Sequence, residues 1–322
     1  MKTMKKSMFI TTIMMVVLLV VALSTATFAW YTAQSSVSSA QVTLTSGTSS
    51  SASLAISDTN NGAAAKGSKV TFTLNNATSV LPMVPKASPT AGTTETAAFA
   101  GNFFTAAMNN AGNFMADGSK ASPATIASIS IDGAEPKTQD NFYVINTNGS
   151  NKTGVTVTVT IDTTGYTVLT NRPNDWATAY FTKYYVEATA ADGENEATYK
   201  LIEQGSAIPT FEQNKYYVKN DIIAADLRVA VFADGKYVST WAMSGETVKY
   251  GTITANASAS LTTTFENTAS GSAASLGDFD ALQGKSIQIV AWYDGVGLVV
   301  DDAGLPAVFS LAFNAVAATT EG

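Results

Sequence analysis

Val155-Thr156-Val157-Thr158-Val159-Thr160-Ile161 alternates β-branched apolar residues with threonine. A pleated strand sends successive side chains to opposite faces, so Val155, Val157, Val159 and Ile161 line one face and the threonines the other. An α-helix would scatter the same residues around its circumference and bury nothing coherent. β-branched residues suit a pleated surface, and threonine on the outer face keeps the strand soluble without charge. The stretch reads as a half-buried strand with a core on one side.

The same rhythm recurs in both directions. Phe142-Tyr143-Val144-Ile145-Asn146 precedes it as a strand, and Asn148-Gly149 starts a turn that Ser150 to Thr153 lengthens; together they predict a hairpin pair. Toward the N-terminus, Ala40, Val42 and Leu44 alternate with Gln41, Thr43 and Thr45. Ala52, Leu54 and Ile56 repeat the pattern, and after the polar break Asp58-Thr59-Asn60-Asn61-Gly62 so do Val70, Phe72 and Leu74. Toward the C-terminus, Leu227, Val229 and Val231 lead into Ala233-Asp234-Gly235-Lys236, a hairpin signal, and return through 237–241. Stretches 261–265 and 287–293 follow, then Phe309, Leu311, Phe313 and Ala315 in strict alternation. The set predicts a mostly β fold, an antiparallel jelly-roll-type β-sandwich.

One helix is expected in it. Pro82, Pro85 and Pro89 bound a loop, and over 95–110 Phe99, Phe103 and Ala107 recur at a spacing of four, with Phe104 and Met108 beside them and Gly112 as a stop. These phenylalanines read as packing onto the sheet, with a ligand pocket as the other use of the pattern. The stretch 180–220 has a different texture. Tyr184-Tyr185 and Tyr216-Tyr217 flank the charged Asp192-Gly193-Glu194-Asn195-Glu196, as an inserted aromatic-rich hairpin or subdomain would. Its four tyrosines either build a small satellite core or form a contact surface for a glycan or a neighbouring subunit.

At the N-terminus, Lys2, Lys5 and Lys6 precede an apolar run over 8–29 that ends with small residues at Thr27 and Ala29. This is the pattern of a secretory signal, 1–29, cleaved between Ala29 and Trp30. The alternative is an uncleaved anchor, since 8–31 is long enough to span about 30 Å of hydrocarbon. Thr11, Thr12, Ser24, Thr25 and Thr27 dilute that reading, and no basic cluster follows Tyr31. Either way the lysines stay inside and the bulk of the chain is exported, an extracellular or cell-surface protein that meets a membrane only through this segment. A Ser-rich arm, 30–39, then leads into a domain spanning 40–322.

The junction Ala29-Trp30-Tyr31-Thr32 resembles the ending of Firmicute signals processed by the dedicated peptidase SipW, and the chain behind it resembles the TasA/camelysin group of biofilm-fibre and surface proteins. Ile289-Val290-Ala291-Trp292-Tyr293-Asp294-Gly295 is similar to an aromatic-acidic-glycine stretch on a late strand of such proteins. The resemblance implies a secreted structural protein. Camelysin-type proteins have been called metalloproteases, but this chain contains no histidine and cannot build H-E-x-x-H.

Composition narrows the functions further. Charged residues make up 13% of the chain, so the surface is coated with Thr, Ser, Asn and Gly. Without the three signal lysines, 15 basic residues stand against 25 acidic ones, a net of −10. That balance disfavours nucleic acid and anionic lipid as partners. Absent cysteine and histidine remove disulfides, thiolate chemistry, the usual general base and the commonest zinc ligand. A Ser-Lys pair or two carboxylates would leave a secreted hydrolase open, yet neither leaves a recognisable signature, and the chain reads as a non-enzyme without a cofactor. Asp278, Asp280, Asp301 and Asp302, flanking strands, could supply oxygen ligands to calcium, although turn chemistry places Asp there equally well.

Two functions remain. In the first, the protein is the subunit of an extracellular fibre, biofilm matrix or surface layer. A mobile arm followed by the alternating strand Ala40, Val42, Leu44 is what a donor of one strand to the next copy looks like, and such head-to-tail exchange gives a homopolymer. The competing use of that strand is pairing at the edge of its own subunit. In the second, the protein is a monomeric adhesin or glycan-binding module of the cell surface that uses Tyr184, Tyr185, Tyr216 and Tyr217. Leu305-Pro306-Ala307 is only a partial likeness to a wall-sorting signal, which argues against covalent attachment to the cell wall at the C-terminus.

Overall fold

A computed structural model describes residues 42–46, 54–64, 66–75, 82–93, 95–108, 114–164, 166–169, 185–189, 198–201, 216–255, 263–267, 273–294 and 309–314. The expected signal segment, 1–29, and the expected arm, 30–39, lie outside these residues. The chain is mostly β and its sheets are antiparallel with few exceptions.

The first layer runs, from edge to edge, β8 (Lys137–Thr138), β7 (Ala124–Ile131), β3 (Lys69–Leu74), β1 (Val42–Ser46), β21 (Phe309–Asn314), β10 (Lys152–Ile161) and β19 (Ala273–Phe279). Every neighbouring pair is antiparallel except β1 with β21, which run parallel. The second layer runs β2 (Leu54–Ser57), β9 (Phe142–Asn146), β20 (Gly284–Asp294), β15 (Leu227–Ala233), β16 (Lys236–Ser244), β17 (Thr247–Ala255) and β18 (Thr263–Asn267). Beyond β9, the same side of β20 receives β7 at Val290↔Thr125 and β4 (Pro82–Pro85) in parallel at Tyr293↔Pro82. β4 continues into β5 (Phe103–Met108) and β6 (Phe114–Ala121). β7 therefore serves both layers: Ala124 and Thr125 pair with β20, and from Ile126 onward the strand pairs with β3 across a register shift.

Strand alternation makes the core. Val155, Val157, Val159 and Ile161 are all buried while Thr156 and Thr158 are half-buried and Thr160 is exposed. Phe72 of the first layer stacks on Phe142 of the second at 6.2 Å, and Phe142 meets Phe313 of the first edge-on at 6.2 Å. These rings join the layers face to face. β15 departs from the alternating pattern because both its faces are covered: Leu227, Val229, Val231 and also Arg228, Ala230 and Phe232 are buried. Its tight return through Asp234 and Gly235 has positive φ at both residues, 50° and 77°, as a two-residue hairpin loop matched to strand twist requires.

Two expectations are corrected here. β9 and β10 do not pair; β9 joins β2 and β20 in one layer, β10 joins β19 and β21 in the other. Asn146, fully buried, turns the chain by donating through Nδ2 to the carbonyls of Ser150 (2.8 Å) and Asp280 (3.0 Å). The helix expected over 95–110 is a single turn and a half, α1 (Thr96–Ala100), which stops at Gly101; Phe103 opens strand β5. Phe99 and Phe103 nevertheless lie edge-on at 5.1 Å and both pack on Trp292, at 5.8 and 5.2 Å. A turn of helix followed by a strand thus brings together what a longer helix would have aligned. A second short helix, α2 (Asn220–Asp226), leads into β15.

The inserted region forms a separate four-stranded antiparallel sheet. Its order is β11 (Tyr166–Leu169), β14 (Tyr216–Lys219), β12 (Tyr185–Thr189) and β13 (Thr198–Leu201), so it begins upstream of 180.

Candidate functional site

β1 is the described part of the candidate assembly strand; Ala40 lies outside the described residues. The strand is interior, with a partner on each side. Against β3 the register is Val42↔Phe72, Thr43↔Thr71, Leu44↔Val70 and Thr45↔Lys69; against β21 it is Thr45↔Ala312 and Ser46↔Phe313. The sequence alternation of β1 thus matches that of β3, whose Phe72 and Val70 are wholly buried. Within one copy the strand fills the slot between β3 and β21 rather than capping an edge. Its withdrawal would bare a row of backbone N–H and C=O groups on each of two strands, a template for another strand of the same pattern.

In the backbone register Tyr217 lies opposite Val168 and Val186, Tyr216 opposite Leu169 and Glu187, and Tyr185 opposite Val218. Tyr184 lies outside the described residues.

Asp301 and Asp302 also lie outside them. Asp278 is exposed and its Oδ1 accepts from the amide of Gly154 at 3.1 Å. Asp280 is exposed, and its backbone carbonyl accepts from Asn146 and Gln283. Asp58, at the start of the polar break, accepts from Lys137 Nζ and stands 3.7 Å from Lys66; that hydrogen bond, with the charge of both lysines, holds its carboxyl below the usual range against the opposing effect of burial. Among the described residues no three His, Cys, Asp or Glu side chains converge on a metal position.

A buried ionic cluster escaped the sequence reading. Arg228, on the outer face of β15, donates through Nη2 to Asp294 Oδ2 at 3.2 Å and through Nη1 to the carbonyls of Ala225 (2.8 Å) and Leu227 (3.1 Å). Asp294 also accepts from the Thr263 amide at 2.9 and 3.1 Å and from its hydroxyl at 2.7 Å. The cluster fastens the end of α2 and the starts of β15 and β18 to the end of β20. Asp226, half-buried next to it, has an Oδ2 atom without a hydrogen-bond partner, as have Arg228 Nε and Trp292 Nε1. Burial pushes the Asp226 carboxyl up to about 6; Arg228 pulls it down and Asp294 pushes it further up. Burial, with the Asp226 charge added, also drives the Tyr293 hydroxyl well above its ordinary value. The available signal was a lone arginine in Leu227-Arg228-Val229-Ala230-Val231-Phe232: a charge inside a doubly covered strand demands a buried partner. Asp294 lies in the very stretch noted for its aromatic-acidic-glycine pattern.

No family model, curated protein or solved structure matches this chain.

Proposed function

We propose that the protein is a secreted structural subunit of an extracellular fibre or matrix layer, and that copies join by passing β1 from one to the slot between β3 and β21 of the next. The observation that carries this reading is the seat of β1. It belongs to the N-terminal part of the chain, it has a partner on both sides, and its two partners would pair equally well with the β1 of another copy. Exchange re-forms the same hydrogen bonds and the same burial, so little is lost in the transfer and polymer growth follows concentration. The signal segment would keep the arm tethered until cleavage at Ala29, which ties polymerisation to export. The polar, weakly charged surface suits dense packing of copies outside the cell.

Negative-stain electron microscopy of protein starting at Trp30, beside protein starting at Gly47, tests the reading. Fibres from the first and none from the second are expected. A cysteine pair, Thr43→Cys with Thr71→Cys, adds an arm in which the fold is intact, because these positions face each other in register and the chain has no other cysteine. Oxidised protein should stay dispersed and reduced protein should assemble. Dispersed particles under every condition, calcium included, would sink the fibre reading; equal assembly of oxidised and reduced protein would sink strand exchange.

A further inference from the structure

We infer that Asn148 is a site of spontaneous deamidation, in which water replaces the side-chain amide by a carboxylate through a cyclic imide, while the fold protects Asn61 from the same reaction. The chain contains two Asn-Gly steps, Asn61-Gly62 and Asn148-Gly149. Glycine after asparagine leaves the backbone free to turn its own amide nitrogen onto the side-chain carbonyl carbon. Both asparagines are exposed and both make the same local contact. Asn61 Oδ1 accepts from the Ala63 amide at 3.0 Å, and Asn148 Oδ1 accepts from the Ser150 amide at 3.2 Å. The difference lies in the glycine. Gly62 is buried, its amide donates to the Leu282 carbonyl at 3.1 Å, and a methyl group there would collide with the Leu282 backbone. Its nitrogen cannot swing toward Asn61 without giving up that bond in a packed place. Gly149 is exposed, has open space where a side chain would stand, and donates its amide to no group among the described residues.

The Gly149 nitrogen attacks Asn148 Cγ, the Cγ–Nδ2 bond breaks, and ammonia leaves with the proton from the glycine amide. Water then opens the imide at one of its two carbonyls. Opening at Cγ leaves aspartate in the ordinary main chain. Opening at the main-chain carbonyl leaves isoaspartate: the backbone then runs through the side chain, one carbon longer, and the former carbonyl becomes a free carboxylate. That carbonyl accepts from the Leu282 amide at 3.1 Å, and the Asn148 amide donates to Oδ1 of the buried Asn146 at 3.0 Å. The reaction therefore falls in the turn that carries the chain from β9 in one layer to β10 in the other, where it is tied to the turn between β19 and β20. Either product adds one negative charge to a chain whose acidic residues already outnumber its basic ones, at a rate set by time and pH.

The experiment incubates the folded chain starting at Trp30 in heavy-oxygen water at pH 8, beside the same chain unfolded in urea, and follows both asparagines by peptide mass spectrometry. Heavy oxygen marks each amide that water has replaced. In the folded chain Asn148 should take up the label, with isoaspartate among its products, and Asn61 should convert at least about tenfold more slowly, the effect of a modest added barrier. In urea the two should convert at similar rates, since the fold no longer distinguishes them. Gly149→Ala, for which the turn has room, should slow Asn148 about tenfold, because a Cβ restricts the backbone as the ring closes. An intact Asn148 in the folded chain, over a period in which both asparagines convert in urea, overturns the site. Equal rates for Asn61 and Asn148 in the folded chain overturn the protection that the Gly62 to Leu282 bond provides. Conversion of Gly149→Ala as fast as the parent overturns the imide route.

Discussion

Arg228 and Asp294 meet at 3.2 Å with 11% and 7% of their side chains accessible, one from the second position of β15 and the other from the last of β20. Both are on a sheet whose neighbouring residues are apolar, so each compensates a charge that the other leaves in a dry place. Replacing Arg228 by Met should destabilise the domain by about 3–5 kcal/mol, since Asp294 would keep only Thr263 as a donor. Pairing that change with Asp294→Asn should recover much of the loss. Chemical denaturation of the two single variants and the double variant measures the coupling directly.

Asp226 should behave in the opposite sense. Its carboxyl is raised from 3.8 to about 6 in the folded chain, so the folded state binds the proton more tightly than the unfolded state does. Stability is therefore greatest with the group protonated, falls as pH rises from about 4 through 6, and stays lower above that. Asp226→Asn should gain about 1–3 kcal/mol at pH 7.5 and almost nothing at pH 3.5. Urea midpoints at the two pH values settle it; an equal gain at both would show that charge is not the cause.

Gly251 tests the outer strands. A methyl group added there would run into the carbonyl of Glu266 on β18, and the contact is with backbone. Gly251→Ala should cost about 1–3 kcal/mol and raise hydrogen exchange of the β17 and β18 amides before that of β15.

Phe99 tests the cover over the outer face of β15 and β20. It packs against Phe103, Phe232 and Trp292 and is almost fully buried. Phe99→Ala should lose about 3–5 kcal/mol, whereas substitutions at the exposed Ala97 of the same helix should change little. Thermal melts of the two variants discriminate core cover from surface decoration.

Strands with one wet face were legible in the sequence because alternation reports a face. Val155 to Ile161, Val70 to Leu74 and Phe309 to Phe313 needed no tertiary information. Alternation does not report a partner, which is why Phe142 to Asn146 and Val155 to Ile161 looked like a hairpin although a buried amide, Asn146, sends them into different layers. The helix was overextended for a related reason: Phe99 and Phe103 do meet on Trp292, but spacing alone cannot say that Gly101 interrupts the helix between them. Of the candidate assembly strand, the alternation was visible and the slot was not, because β1 is framed by strands from the two extremes of the domain. The Arg228–Asp294 contact joins residues 66 positions apart and is recognisable from sequence only as an unexplained charge in an apolar run.

The parallel pairing of β1 with β21 gives the domain a mechanical direction. Tension applied through the two ends of the chain pulls β1 from its Val42 end and β21 from its Asn314 end, and in a parallel pair these lie at opposite extremities. The load then slides one strand along the other and strains all the shared hydrogen bonds at once. An antiparallel pair at this place would be opened like a zipper, one bond after another. If β1 comes from the neighbouring copy, the same geometry acts at every junction, and a fibre built this way would be clamped at the joint where one molecule hands its strand to the next.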